Sequence, residues 1–270
     1  MLEIQGIRKT FNPGTVNEVR ALQGVDLTIE PGSWVIVLGM NGSGKSTLLN
    51  AVAGSFYVDE GKITVAGHDV THWPEHRRAK LIGRVFQNPF SGTAPNMSIA
   101  ENFALATQRG KVRGLGWALN RKMMRPLRDR IAGLRMGLED RLDNAIGSLS
   151  GGQRQALTLL MASWLKPDLL LLDEHTAALD PKSAEQVITQ TCEVVNRDKL
   201  TTLMVTHSMQ QAVSLGDRIV MMNRGQVLHD IRGSEKKHLR PEDLLDRFHA
   251  VRAREQLDES AAEMLRSRYI

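Results

Sequence analysis

A single cysteine, Cys192, is all that the 270 residues contain. An internal disulfide is therefore excluded, and no thiolate cluster is left for zinc or an iron–sulfur centre. A reducing compartment fits, and Cys192 itself reads as a small apolar residue of a helix. Long apolar runs are missing as well. Trp34 to Leu38 and Leu169 to Leu172 are the size of strands, far short of the roughly 18 to 20 residues that cross a bilayer. The opening Met1-Leu2-Glu3-Ile4-Gln5-Gly6-Ile7 alternates like a strand and lacks the basic, apolar and small-residue regions of an export signal. The chain is expected to stay in the cytosol and to borrow any membrane role from another polypeptide. Internal repeats and low-complexity segments are lacking too. A formal charge of +5 is compatible with nucleic acid or an anionic membrane and forces neither.

What is present is enough apolar residue, 41%, to bury a sizeable core. Short apolar runs predict strands at Ile4 to Arg8, Val25 to Ile29, Trp34 to Leu38, Ile63 to Ala66, Ile82 to Phe86, Leu169 to Leu172, Thr202 to Val205 and Ile219 to Met222. The runs that are apolar throughout predict strands of a parallel sheet covered on both faces, hence an α/β core. From about residue 88 to 147 helix signals replace strand signals. Ser98-Ile99-Ala100-Glu101 is a capping box, and Leu127, Ile131 and Leu134 recur at helical spacing after Pro126, which is expected to begin or interrupt a helix. After Glu235 the chain is charged and helical, with Leu244, Phe248 and Val251 on one face. The expected division is a main domain over 1–235 with a helical insertion at about 88–147, followed by a tail over 236–270.

Strand Trp34 to Leu38 leads into Gly39-Met40-Asn41-Gly42-Ser43-Gly44-Lys45-Ser46-Thr47 and then an apolar helical stretch. Strand, Gly-x4-Gly-Lys-Ser/Thr loop and helix together form a phosphate-binding unit. Glycines let successive backbone amides wrap a dense negative charge without Cβ clashes, and the helix start adds its partial positive charge. Lys45 can reach the β- and γ-phosphates, and the Ser46 hydroxyl can ligand Mg²⁺.

Further along, Leu149-Ser150-Gly151-Gly152-Gln153 precedes an apolar segment ending before Pro167. Taken alone it is a Ser-x-x-Gln capping box. Leu169 to Leu172 then carries Asp173 and Glu174 at its carboxyl end, the edge at which parallel sheets bind ligands. Ala178-Leu179-Asp180 follows, and His207 closes the strand Thr202 to Val205.

With these motifs in this order from Phe11 to His207, the chain resembles the nucleotide-binding subunit of ABC transporters. The resemblance implies a P-loop NTPase (RecA-like) parallel-sheet core with an antiparallel β subdomain and an inserted α-helical subdomain. It also implies ATP and Mg²⁺ as ligands, and it assigns roles. Phe11 matches the aromatic that stacks on adenine, and Gly39, Asn41, Gly42, Ser43, Gly44, Lys45, Ser46 and Thr47 the phosphate loop. Gln87 matches the residue that senses Mg²⁺ and the attacking water and passes motion to a membrane partner. Asp173 would hold Mg²⁺, with Ser46 and Gln87, and Glu174 would orient or deprotonate water. His207 would contact the γ-phosphate. Ser150, Gly151, Gly152 and Gln153 would be presented to nucleotide on an opposing subunit, with Asp180 crossing the same interface. His175 departs from the family pattern, which has Pro after the catalytic Glu. Hydrolysis is expected to survive, since neither carboxylate is displaced.

Phrases such as Phe11-Asn12-Pro13-Gly14-Thr15, Gln87-Asn88-Pro89 and Glu174-His175-Thr176-Ala177 look most similar to a bacterial importer group. That resemblance implies a homodimer, an integral-membrane permease, an extracytoplasmic solute-binding protein and a small solute such as an amino acid. It places the subunit on the cytoplasmic face of the inner membrane, peripheral through the permease. Separate-subunit exporters and lipoprotein extractors share the arrangement. Soluble ABC ATPases of translation or chromosome organisation, which carry a second domain or a coiled-coil insertion, do not fit, and no nucleic-acid partner is expected. A P-loop kinase has no use for the Ser150 motif. Between Arg109 and Arg130 a basic stretch, Arg109, Lys111, Arg113, Arg121, Lys122, Arg125, Arg128 and Arg130 against Asp129, reads as a solvated face or as a surface near the membrane or an acidic permease loop.

Overall fold

The computed structural model describes residues 1–110 and 121–251, excluding the side chains of residues 121–123. Lys111 and Arg113, the side chains of Arg121 and Lys122, and residues 252–270 of the tail lie outside the described residues.

Two sheets share one core. Strands β1 (Leu2–Phe11), β2 (Val19–Ile29), β4 (Glu60–Val65) and β5 (His68–Asp69) form an antiparallel sheet in the order β2-β1-β4-β5. The second sheet contains β3 (Trp34–Gly39), β6 (Ile82–Val85), β7 (Leu169–Asp173), β8 (Thr202–Val205), β9 (Arg218–Asn223) and β10 (Gln226–Arg232), in the order β10-β9-β3-β8-β7-β6. Its strands run parallel except β10, which returns antiparallel along β9. The continuous apolar runs have the reason anticipated for them. Val35, Val37, Leu171, Leu203, Val205, Val220 and Met222 point to one face, against helix α1 (Lys45–Ala53) and the antiparallel sheet. Ile36, Leu38, Leu170, Leu172, Met204, Ile219 and Met221 point to the other, because successive side chains of a strand alternate between faces.

A third core lies in the helical layer. Helices α3 (Ile99–Thr107), α4 (Arg121–Ala132) and α5 (Gly151–Ser163) meet through Ile99, Phe103, Leu127, Ile131, Leu157 and Leu160. They follow a single turn of helix, α2 (Glu75–Arg78). The Ser98 capping box forms as expected, with the Glu101 amide donating to Ser98 Oγ at 3.2 Å and the Ser98 amide to Glu101 Oε2 at 2.7 Å. Pro126 neither begins nor ends a helix but sits inside α4. Packing of Leu127, Ile131 and Leu134, all buried, outweighs the one lost backbone bond, since each such side chain contributes roughly 1.5–3 kcal/mol on burial.

Helix α5 joins the layers, sending Leu157 and Leu160 into the helical core and Leu159 and Ala162 into the core behind the sheet. Helix α6 (Pro181–Asp198) does the same with Val187 on one side and Val194 and Val195 on the other. Helix α7 (Met209–Ser214) follows β8, and α8 (Gly233–His238) follows β10. Beyond α8, which runs across residue 235, Leu239 and Leu244 are buried behind the sheet with Phe248 packed beside them. Strand β10 escapes the apolar-run criterion because it alternates polar and apolar at the sheet edge. Its signal is the preceding turn, where Arg224 and Gly225 take φ of 45° and 77°, the pair of positive values a tight hairpin requires.

Candidate nucleotide site

Between β3 and α1 the chain makes a loop that only glycines can make. Gly44 has φ 97°, and a Cβ there would lie 2.6 Å from the Ala21 carbonyl oxygen. A Cβ on Gly39 would overlap Ser43 Oγ and the Met222 carbonyl. The Lys45 side chain is buried, its Nζ donating to the Gly39 carbonyl at 2.7 Å and the Met40 carbonyl at 3.0 Å. Burial pushes its pKa down, and the nearby Glu174 and Asp173 carboxylates push it back up. Ser43 Oγ is buried without a hydrogen-bond partner. Helix α1 starts with no side-chain cap and no acidic residue in its first turn, so its free amides and positive dipole end are open to an anion. Asn41, Gly42 and Ser46 are exposed around this start, and Thr47 is half-buried.

Two carboxylates face the loop from the end of β7. Asp173 Oδ2 lies 3.6 Å from Arg84 Nη2. Burial raises the Asp173 pKa, an effect that Arg84 opposes and the neighbouring Glu174 reinforces. Glu174 Oε2 gathers two partners, Gln87 Nε2 at 3.3 Å and His207 Nδ1 at 3.4 Å. The structure thus brings Lys45, Gln87, Asp173, Glu174 and His207 to one edge of the sheet. Phe11 stands apart. It meets Phe56 edge-on, centroids 5.3 Å apart, with Lys9 Nζ 5.6 Å from its ring.

Ser150, Gly151, Gly152, Gln153 and Asp180 form a second group. Ser150 caps α5, its Oγ accepting from the Gln153 amide and its own amide donating to Gln153 Oε1, both at 3.2 Å. Asp180 caps α6 by accepting from the Ser183 amide at 3.0 Å, and hydrogen bonding from the Ser183 side chain and then from that amide holds its carboxyl below the usual carboxylate range. The two helix starts touch: a Cβ on Gly152 would lie 2.7 Å from Ser183 Cβ. No hydrogen bond joins this group to Lys45, Asp173 or Glu174 among the described residues.

Several contributing residues carry no motif. Arg84 donates to Asn50 Oδ1 of α1 at 2.5 Å and stacks over Phe86 at 4.5 Å while facing Asp173. An arginine in the otherwise apolar strand β6 was the available signal. Gln155 Nε2 donates to the Phe86 carbonyl at 2.8 Å, tying the Gln87 segment to α5. Gln211 accepts from Thr206 Oγ1 at 2.8 Å and donates to Thr176 Oγ1 at 3.3 Å, joining the loops that carry His207 and Glu174. His175 is fully buried, its Nε2 3.0 Å from Thr191 Oγ1, and burial lowers its pKa to about 4. Beside Arg84 a groove of about 580 Å³ opens between β6 and α3, lined by Phe86, Leu105, Arg109 and Met161 among others. Arg109 donates to the Ala162 carbonyl at 3.1 Å, so this member of the basic stretch is not simply solvated.

The glycine cradle, the partnerless Ser43 hydroxyl and Lys45 folded back on loop carbonyls fit a polyphosphate. The described residues hold no cluster of three or more His, Cys, Asp or Glu that could cage a metal by itself. One carboxylate, Asp173, with the Ser46 hydroxyl instead fits Mg²⁺, which keeps waters and takes phosphate oxygens as ligands.

The family model described as ABC transporter matches residues 22–177. The chain belongs to that family. It is 41% identical to the tyrosine transport ATP-binding protein of Clostridioides difficile over 92% of this chain and 98% of that protein. With the lipoprotein-releasing system ATP-binding protein of Ruegeria pomeroyi it shares 35% identity over 84% of this chain and 96% of the relative. Solved cassettes superpose on it. A dimeric bacterial ABC transporter cassette matches with a TM-score of 0.73 and 27% identity, over 86% of this chain and 98% of that one. A dimeric cassette in a post-hydrolysis state, bound to ADP and Pi, gives 0.71 and 27% over the same shares. The protein is thus an ATP-binding and ATP-hydrolysing subunit of a transporter, with the fold class anticipated from its motifs. No helix among the described residues is long and apolar enough to cross a membrane.

Proposed function

We propose that two copies of this ATPase subunit close around two MgATP molecules and energise a separate membrane permease that imports a small solute, an amino acid in particular. One observation carries the reading. The residues for phosphate, metal and water cluster at the end of the parallel sheet, whereas Ser150 and Gly152 stand at a helix start with no hydrogen bond to that cluster. Each half completes the other only across a dimer.

In this reading the loop from Gly39 to Thr47 wraps the phosphates, with Lys45 as their cation, and Phe11 stacks on the base. Asp173, Ser46 and Gln87 hold Mg²⁺, which when bound neutralises charge on the phosphate oxygens. Glu174 orients a water and accepts its proton, and His207 stabilises charge on the transferred group. Catalysis of this kind is mostly positioning and charge neutralisation. Ser150, Gly151, Gly152 and Gln153 contribute the α5 start to the opposing subunit's nucleotide, with Asp180 beside them. The groove next to Arg84 borders the Gln87 segment and is where a permease element would register with the site. The amino-acid solute rests on the 41% identity to a tyrosine transport subunit. An extracytoplasmic solute-binding protein and a peripheral place on the cytoplasmic face of the inner membrane follow with the importer reading. The lipoprotein-releasing relative supports an extractor as the second reading.

Glu174→Gln tests the core of the proposal. Gln keeps the shape but cannot take a proton, so turnover should fall by roughly 10²- to 10⁴-fold while ATP binding persists. With MgATP the variant should elute as a dimer, and adding Ser150→Arg should return it to monomer. Wild-type turnover in Glu174→Gln, or a dimer that survives Ser150→Arg, overturns the respective half. Stimulation of ATP hydrolysis by tyrosine rather than by a lipoprotein, in vesicles holding the permease, separates importer from extractor.

A further inference from the structure

We infer that His175 is a positioning residue for Glu174: through its hydrogen bond to Thr191 it pins the turn that aims the Glu174 carboxylate. The inference rests on the proposed role of Glu174.

Glu174 has φ 42°, in the left-handed region that side-chain-bearing residues avoid. Such a conformation persists only where the surroundings over-determine it. On one side the Glu174 amide donates to the Val205 carbonyl at 3.0 Å, and its own carbonyl accepts from the Ala177 amide at 2.9 Å. On the other side the next residue, His175, drives its ring into the interior at 1% exposure, with Nε2 3.0 Å from Thr191 Oγ1.

The hydroxyl of Thr191 has one proton, and it goes to the Val187 carbonyl at 2.8 Å. Thr191 can therefore only accept from the imidazole, so His175 carries its proton on Nε2 and its tautomer is set. Thr191 is a firm anchor. It is fully buried in α6, whose Val187, Val194 and Val195 are locked into two cores.

The opposite ring nitrogen, Nδ1, is buried with no partner. A residue kept only for packing has no reason to carry that penalty, since an apolar side chain of similar size avoids it. The tether to Thr191 supplies the reason. In the family pattern a proline stands here and restricts the backbone through its ring. In this chain a side-chain bond to α6 does that work, and α6 is the helix that Asp180 caps.

The test compares Thr191→Val, His175→Leu, His175→Gln and the double variant His175→Pro/Thr191→Val in the full chain, reading kcat and KM for ATP together with thermal stability. Displacing a catalytic group by a fraction of an ångström to an ångström costs roughly 10- to 100-fold. Thr191→Val and His175→Leu should therefore lose roughly 10- to 100-fold in kcat at unchanged KM. His175→Gln, whose amide still donates to Thr191, should retain more turnover than His175→Leu. The double variant should recover turnover lost in Thr191→Val, because proline needs no tether. Wild-type kcat in both Thr191→Val and His175→Leu overturns the inference, as does a loss confined to melting temperature. If Glu174→Gln abolishes turnover while these variants do not, only this inference fails. If Glu174→Gln turns over normally, the role of Glu174 itself is wrong.

Discussion

The carboxyl edge of the core sheet and the helix starts at Ser150 and Asp180 are both built from polar groups at the ends of secondary-structure elements, yet they are held in opposite ways. At the sheet edge Lys45 and His175 are buried and Asp173 faces Arg84 across 3.6 Å. Each is held by partners outside its own element: Lys45 by the Gly39 and Met40 carbonyls, Asp173 by Arg84 of β6, and His175 by Thr191 of α6. At the helix starts Ser150 and Asp180 are exposed and satisfy only their own helices. The first region is assembled within one chain, and the second is a terminus offered outward. Partial burial at the sheet edge can shift pKa values and direct chemistry, whereas an exposed cap is available to another molecule because few interactions compete for it.

The sharpest way to break this contrast is Lys45→Ala. It removes the one cation seated in the glycine loop, and turnover should drop by roughly 10² to 10³ with loss of ATP binding, measured by phosphate release and a fluorescent nucleotide. Turnover near wild type would show that the sheet edge is not the phosphate site.

Acid should distinguish the regions next. The His175 imidazole takes a proton near 6.5 when free but near 4 when folded. The unfolded chain thus binds more protons between those values, and stability present above about pH 6.5 is lost as pH falls toward 4. Between roughly pH 7.5 and pH 5 this amounts to about 2 kcal/mol. Denaturant titrations at both pH values should show the loss in wild type and a smaller one in His175→Leu.

Ser150→Ala removes a helix cap and should cost about 1 kcal/mol of stability, readable as a lowered melting temperature. In the Glu174→Gln background it should also weaken the MgATP dimer without releasing ATP from the subunit's own loop. The smallest effect belongs to Phe11→Ala, which loses a stacking face and should raise half-saturating ATP by roughly 2- to 10-fold at unchanged kcat.

Legibility followed the same division. The glycine loop between β3 and α1 was readable because its geometry is demanded by local backbone, as the 97° φ of Gly44 shows. The place of Asp173 and Glu174 at the end of β7 was readable because an apolar run closed by two carboxylates marks where a buried strand stops. The capping boxes at Ser98 and Ser150 formed as their spacing predicts. Gln155, Gln211 and Thr191 were not readable, and Arg84 showed only as a charge in an apolar strand, with its partner hidden. Each acts through a partner distant in sequence: Arg84 on Asp173, Gln155 on Phe86, Gln211 on Thr176, and Thr191 on His175.

By itself the sequence determined the alternation that divides the sheet's two faces, the glycine loop between strand and helix and the order of the motifs, all consequences of side-chain period and backbone conformation over a few residues. Tertiary structure alone decided that Pro126 stays within a helix, that β10 closes the sheet edge, and that His175 turns inward to meet Thr191. Those outcomes depend on what packs against each residue, and packing partners are chosen by the whole chain rather than by neighbours along it.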